Sequence, residues 1–173
     1  MPSVRNTPAA GQAKNKMSKL SQIIHDFLTS GKDVISPSTD SPYYNEDYFD
    51  HLITLTGKGD IRFGPSYFDL WIDNAKLDNR NFGRSIWLLD DCLFGAEEWL
   101  TTSERIGPLT RLVIFDLSKM KCVPFSRISG FPKDVKIASG NIKYIRDEYK
   151  SKKETLVPLN SKTKWRPIFG CRW

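Results

Sequence analysis

Apolar and polar positions alternate with a period of two along most of this chain, and one early segment has a helical period instead. Leu20, Ile23, Ile24, Phe27 and Leu28 fall at i, i+3, i+4, i+7 and i+8. A single stripe of this kind predicts an amphipathic helix over residues 18–31. Ser18 is its expected N-cap and Gly31 its C′ residue. Alone in water so short a helix is marginal, so it is expected to pack on the main body.

From His51 the pattern reads as strands. His51–Thr56 and Ile61–Gly64 flank Gly57-Lys58-Gly59-Asp60, which predicts a hairpin. Tyr67–Asp73 sets Phe68, Leu70 and Ile72 against Asp69, Trp71 and Asp73. Arg84–Leu89 runs into Asp90-Asp91, and Cys92–Leu100 returns. Leu109–Leu117 and Lys121–Ile128 flank Ser118-Lys119-Met120; Val135–Ala138 and Asn141–Arg146 flank Ser139-Gly140. Short strands with a turn signal roughly every eight to twelve residues predict a mainly β fold, an antiparallel meander forming a curved sheet, a sandwich or blade-like hairpins, with one N-terminal helix. A helix over residues 96–106 is the main local alternative, and Gly95 and the preceding strand pattern weigh against it.

The expected organisation is a leader over 1–17, the helix over 18–31, a linker or loop over 32–50, a β domain over 51–149 and a basic segment over 150–173 with one short strand at 164–169. Residues 32–50 hold two Pro, three Ser and five acids against one Lys, interrupted by Tyr43, Tyr44, Tyr48 and Phe49. The leader lacks the apolar core of a signal peptide, and Met17 stands as a candidate start. No apolar run approaches the roughly 18 residues that span a bilayer. Cys92, Cys122 and Cys171 form an odd set without CxxC spacing, which fits reduced thiols and a cytoplasmic setting.

Charge changes the picture more than composition does. The net +6 conceals 11 Lys+Arg against 15 Asp+Glu in residues 1–110, and 15 against 5 in residues 111–173. So basic a final third steers polyanions, whether an acidic protein, nucleic acid or an anionic surface.

A strand, a polar turn, a second strand and a Gly-Pro or Gly-Phe-Pro loop occur twice, at 84–108 and 109–133. In each unit an Asp (Asp90, Asp116) ends the first strand, as in propeller hairpins where an outward Asp accepts N–H bonds at the turn. The chain is too short for a closed propeller. FGRSIWLLDDCLFGAEEWL followed by GPLTRLVIFDL resembles small bacterial immunity-type proteins found beside toxins, over about residues 60–130. That resemblance implies a non-enzymatic, antitoxin-like protein that sequesters a partner; it carries over no site residue.

Chemistry-bearing motifs are sparse. His25 and His51 stand apart, with no HxH, HxxxH or clustered Cys to hold zinc. There is no GxSxG, P-loop or GxGxxG. Asp90-Asp91 and Glu97-Glu98 are adjacent acids, and strand neighbours point to opposite faces, so neither pair forms a joint dyad. A turn role is expected for the first pair and an exposed position for the second. No cofactor, metal or catalytic residue is expected.

The expected function is therefore a protein-binding module whose partner has an acidic surface. Tyr43, Tyr44, Tyr48, Trp165 and Trp173 are candidate anchors. Lys143, Tyr144, Arg146, Lys164, Trp165 and Arg166 supply the basic, aromatic part of the contact. One alternative is nucleic-acid binding, with cations on phosphate and Tyr144 or Trp165 stacking on bases. The other is a small enzyme without a recognisable motif.

Overall fold

The computed structural model describes residues 43–61 and 64–169. The expected leader, the helix over 18–31, most of the expected linker and Trp173 lie outside them. The described residues form twelve strands: β1 (Tyr44–Tyr48), β2 (His51–Asp60), β3 (Ser66–Ile72), β4 (Ala75–Lys76), β5 (Asn81–Asp90), β6 (Leu93–Trp99), β7 (Thr110–Asp116), β8 (Lys121–Pro124), β9 (Gly130–Ala138), β10 (Asn141–Glu148), β11 (Ser151–Pro158) and β12 (Arg166–Pro167). The fold is mainly β and antiparallel, as the period-two pattern predicts. No helix occurs among the described residues, hence none long and apolar enough to cross a membrane.

Nine strands make one sheet in the order β1-β2-β3-β5-β6-β7-β8-β12, with β4 beside β3; a second sheet runs β11-β10-β9. The large sheet is rolled. Tyr48 on β1 donates its hydroxyl to the Leu93 carbonyl at the start of β6, 3.0 Å away. In a flat sheet these strands, four places apart, would be separated by roughly 19 Å. Rolling encloses a first core that draws on Ile53, Leu70, Phe82, Phe94 and Phe115. Phe94 and Phe115 stack there with centroids 4.6 Å apart.

Central strand β7 is apolar on both sides, which explains its unbroken Leu-Val-Ile-Phe run. Val113 and Phe115 belong to the first core, whereas Leu112 and Ile114 face a second. The small sheet closes that second core with Val135, Ile142 and Tyr144. Full burial of such side chains contributes on the order of 1.5–3 kcal/mol each.

Three expectations need correction. The glycines at 57 and 59 do not form a hairpin turn: β2 runs through them with one extra residue opposite β3, and the chain reverses beyond Ile61, whose N–H bonds the Pro65 carbonyl at 3.3 Å. Two glycines beside a bulge relax the backbone without ending the strand. Part of the supposed linker is strand β1, because Tyr44 and Tyr48 pack against the first core while Asn45–Asp47 stay in water. The β domain also continues past 149 into β11, which pairs with β10 along its whole length although its sequence, SKKETLVP, is mostly polar.

Turn chemistry follows the expected lines with one change. Asp116 accepts the Lys119 N–H at 3.0 Å and the Ser118 hydroxyl at 2.6 Å, but it is buried rather than outward. Asp90 accepts the neighbouring Asp91 N–H at 2.8 Å. Ser139 and Gly140 both take positive φ, 50° and 73°, in the two-residue β9–β10 turn.

Candidate functional site

The nine expected contact residues that are described fall in three places along the chain: before and on β1, on β10, and before and on β12. Tyr43 is 50% exposed, with its ring 4.6 Å from that of Phe68 and 5.6 Å from the Arg84 guanidinium. Tyr44 and Tyr48 are half-buried on β1, at the opposite end of the strand order from β12. Lys143, Tyr144 and Arg146 lie together on β10. Trp165, just before Arg166 on β12, is half-buried against the second core, and Lys164 is exposed.

Tyr144 is no contact residue. It is 1% exposed, its ring lies 5.9 Å from Phe125, and burial pushes its hydroxyl pKa up. Strand alternation turns it inward with Ile142, so neither a base nor a partner side chain can stack on it. Two expected cations are already engaged: Lys143 with Glu154 at 2.7 Å, and Arg146 with Glu148 and the Arg127 carbonyl, each at 2.7 Å.

The side of the small sheet away from β9 offers a different surface. β11 has β10 as its one neighbour among the described strands, none of which pairs with its far edge. Residues 149–154 are all exposed, and Tyr149, at the β10–β11 turn, is 92% exposed with Lys150 Nζ 5.9 Å from its ring. Lys152 and Lys153 follow, without an ion pair among the described residues. Leu156 is exposed on the same strand.

The second site is a cleft of about 380 Å³ where β9 crosses β5 and β6. It was not foreseen, because Glu97-Glu98 was expected to be exposed. Both are buried, at 6% and 3% exposure. They sit on an inner strand covered on both faces, so alternation sends each into a different interior.

Glu98 shares a face with Phe94 and Ala96. Arg80 Nε lies 2.7 Å from one of its carboxylate oxygens and Arg111 Nε 2.5 Å from the other. The Arg80 guanidinium also covers the Phe82 and Phe115 rings, at 4.9 and 5.6 Å. Burial pushes the Glu98 pKa up, but hydrogen bonds and charge from the two arginines prevail and hold it below the ordinary carboxylate value.

Glu97 faces the cleft instead. Burial raises its pKa to about 7, opposed by the Trp99 indole, the Ser85 hydroxyl and, least, Arg84. Trp99 Nε1 makes no hydrogen bond of good geometry, so it acts on the carboxylate as a nearby dipole. Gly83 makes room for the group: a Cβ there would lie 2.1 Å from Glu97 Oε1.

Two bulges shape this cleft. Between Phe82 and Ile86 the β5–β6 register gives β5 two extra residues, placing Gly83, Arg84 and Ser85 around the opening. Between Lys133 and Lys136 strand β9 gains one residue over β10, and Asp134 takes φ of 50°. Phe131, Pro132, Lys133 and Asp134 of that bulged strand form the opposite wall. Bulges re-aim side chains beside functional sites, and here two from different sheets meet over one buried carboxyl.

His51 has a structural part: Asp73 holds its Nδ1 at 2.5 Å and accepts the Leu52 N–H at 2.9 Å, tying the start of β2 to the turn after β3. Cys122 is buried in the first core. No family model, curated protein or solved structure matches the chain. The immunity-type likeness thus rests on the meander pattern alone.

Proposed function

We propose that this chain is a protein-binding module that takes an extended acidic segment of a partner along β11. The observation that carries this is the combination of an eight-residue strand whose far edge no described strand pairs and a run of exposed cations, Lys150, Lys152 and Lys153, led by Tyr149. Backbone pairing at an open edge supplies affinity, and charge supplies selectivity for acidic sequences. Edge lysines also protect against pairing between identical copies, which fits a strand reserved for a partner of opposite charge. An immunity or antitoxin-like role is one form of this activity. Nucleic-acid binding is the weaker alternative, since Tyr144 is buried and Trp165 is half covered.

An acidic peptide of about ten residues, alternating Glu with Val, serves as the probe, with single-stranded DNA of similar length as competitor. At about 0.15 M salt, where charge attraction alone is screened over roughly 8 Å, the peptide is expected to shift β10 and β11 amide resonances and saturate. Lys152→Glu with Lys153→Glu should abolish that binding without unfolding the protein, because both side chains are exposed. Salt-resistant DNA binding without peptide binding would overturn the proposal in favour of the alternative.

A further inference from the structure

The geometry of the Glu97 cleft points to a second binding site: we propose that it takes a small organic cation, an amine or amidinium on a flat apolar group, with Glu97 as the counter-charge. The cleft is independent of the β11 edge and does not rest on the function proposed for it.

Size and lining fit such a ligand. A cleft of about 380 Å³ falls at the small end of ligand sites, which are mostly apolar with a few placed polar groups. Trp87, Phe131, Pro65 and Pro132 supply flat apolar walls, and Trp and Phe faces also attract cations. Glu97 is the polar group at the floor, 94% withdrawn from water yet facing the opening.

Charge around the cleft favours a cation over an anion. Of the two basic residues at its rim, Lys133 is paired with Asp147 at 2.5 Å, and Arg84, 5.6 Å from the Tyr43 ring, acts on Glu97 through charge only weakly and without an ion pair. Asp134, on the β9 bulge, adds a further negative charge at the rim. Among the described residues Glu97 has no ion pair, whereas Glu98 next to it has two. A buried carboxylate without an ion-pair partner is completed by a cation that arrives with a ligand.

The backbone supports the same assignment. Gly83 leaves the space that the Glu97 carboxylate fills, and the β5 bulge sets Ser85 beside it. An uncommitted acid in an apolar core position lowers stability when ionised, so its presence there points to use rather than packing.

Benzamidinium is the probe and benzamide, its neutral near-isostere, the control, followed by calorimetry and by the resonances of Gly83 and the Trp87 indole. At pH 8 benzamidinium should bind saturably and move both resonances, with benzamide more than about tenfold weaker, as expected when a charge-assisted contact is lost. Glu97→Gln should lower benzamidinium affinity by a similar factor. Affinity should also fall between pH 8 and pH 5 as Glu97 takes up a proton; the other charged side chains lining the cleft are Arg84, Lys133 and Asp134. Equal binding of probe and control, unchanged binding by Glu97→Gln, or no saturation up to about 10 mM (a Kd of little interaction free energy) would each overturn the proposal. Retained Glu97→Gln folding, read from its amide spectrum, separates loss of the counter-charge from loss of the fold.

Discussion

Glu97 and Glu98 are neighbours on one strand and live in different chemistry. Glu98 points into the first core and is held by two arginines; Glu97 points to the second side and meets a glycine, a hydroxyl, an indole and an opening. The first belongs to a finished structural ion cluster, and its pKa is lowered. The second is a buried acid without an ion pair among the described residues, and burial raises its pKa to about 7. Burial alone does not distinguish structural from functional carboxylates. The partners do.

The largest expected effect comes from removing the structural acid. Glu98→Ala leaves the Arg80 guanidinium buried without its carboxylate and is expected to destabilise by about 3–5 kcal/mol in denaturant unfolding. A loss below about 1 kcal/mol would break the contrast, because Glu98 would then be no more structural than its neighbour.

Glu97→Gln should act in the opposite direction. An acid whose pKa is about 7 folded and near 4.5 unfolded binds more protons in the folded state, so stability falls as pH rises from about 4.5 to 7 and the full cost persists above. That cost is on the order of 3 kcal/mol. The Gln variant should therefore be more stable than the parent at pH 8, with the gain gone by pH 4. Denaturant midpoints at the two pH values check it.

Gly83→Ala sharpens the geometric side of the contrast. Its Cβ would fall on the Glu97 carboxylate, with an expected loss of about 1–3 kcal/mol. Most of that loss should vanish in the background of Glu97→Ala, giving a coupling of more than about 0.5 kcal/mol in a double-mutant cycle. Additive effects would place the clash elsewhere.

The smallest effect concerns the acid limb. Glu98 and Asp116 both have lowered pKa values, so their stabilisation is present above the ordinary carboxylate range and is lost as pH falls through it. For Asp116, burial works against the Lys119 and Ser118 hydrogen bonds, which prevail. Asp116→Asn should flatten the acid limb by about 1 kcal/mol or less while leaving the limb between pH 4.5 and 7 unchanged, as thermal melts across pH would show.

Much of the fold was legible because β3, β5, β6, β7 and β10 show apolar alternation or continuous apolar runs. β1 and β11 were missed for the reason that makes them edges: an edge strand exposed on most sides keeps polar residues and resembles a loop. The pattern also carried one unused clue to the site. Phe94, Ala96 and Glu98 are in phase on β6, so Glu98 had to share the apolar face. Its cations lie 18 and 13 residues away: Arg80 just before β5, and Arg111 directly opposite Glu98 on β7, a register that side-chain alternation does not fix. The cleft depends on β9 crossing β5 and β6 from another sheet, and on register shifts that side-chain alternation does not encode. Tyr144 failed as a contact residue because alternation on β10 turns it inward with Ile142, a phase visible in the sequence but outweighed by its basic neighbours.

Side-chain carboxyl carbon resonances of Glu97 and Glu98, followed by NMR from pH 3 to pH 9, test the contrast without any substitution. Glu97 is expected to titrate near pH 7 and Glu98 below the ordinary value of 4.5. Two carboxyls titrating together near 4.5 would contradict the account.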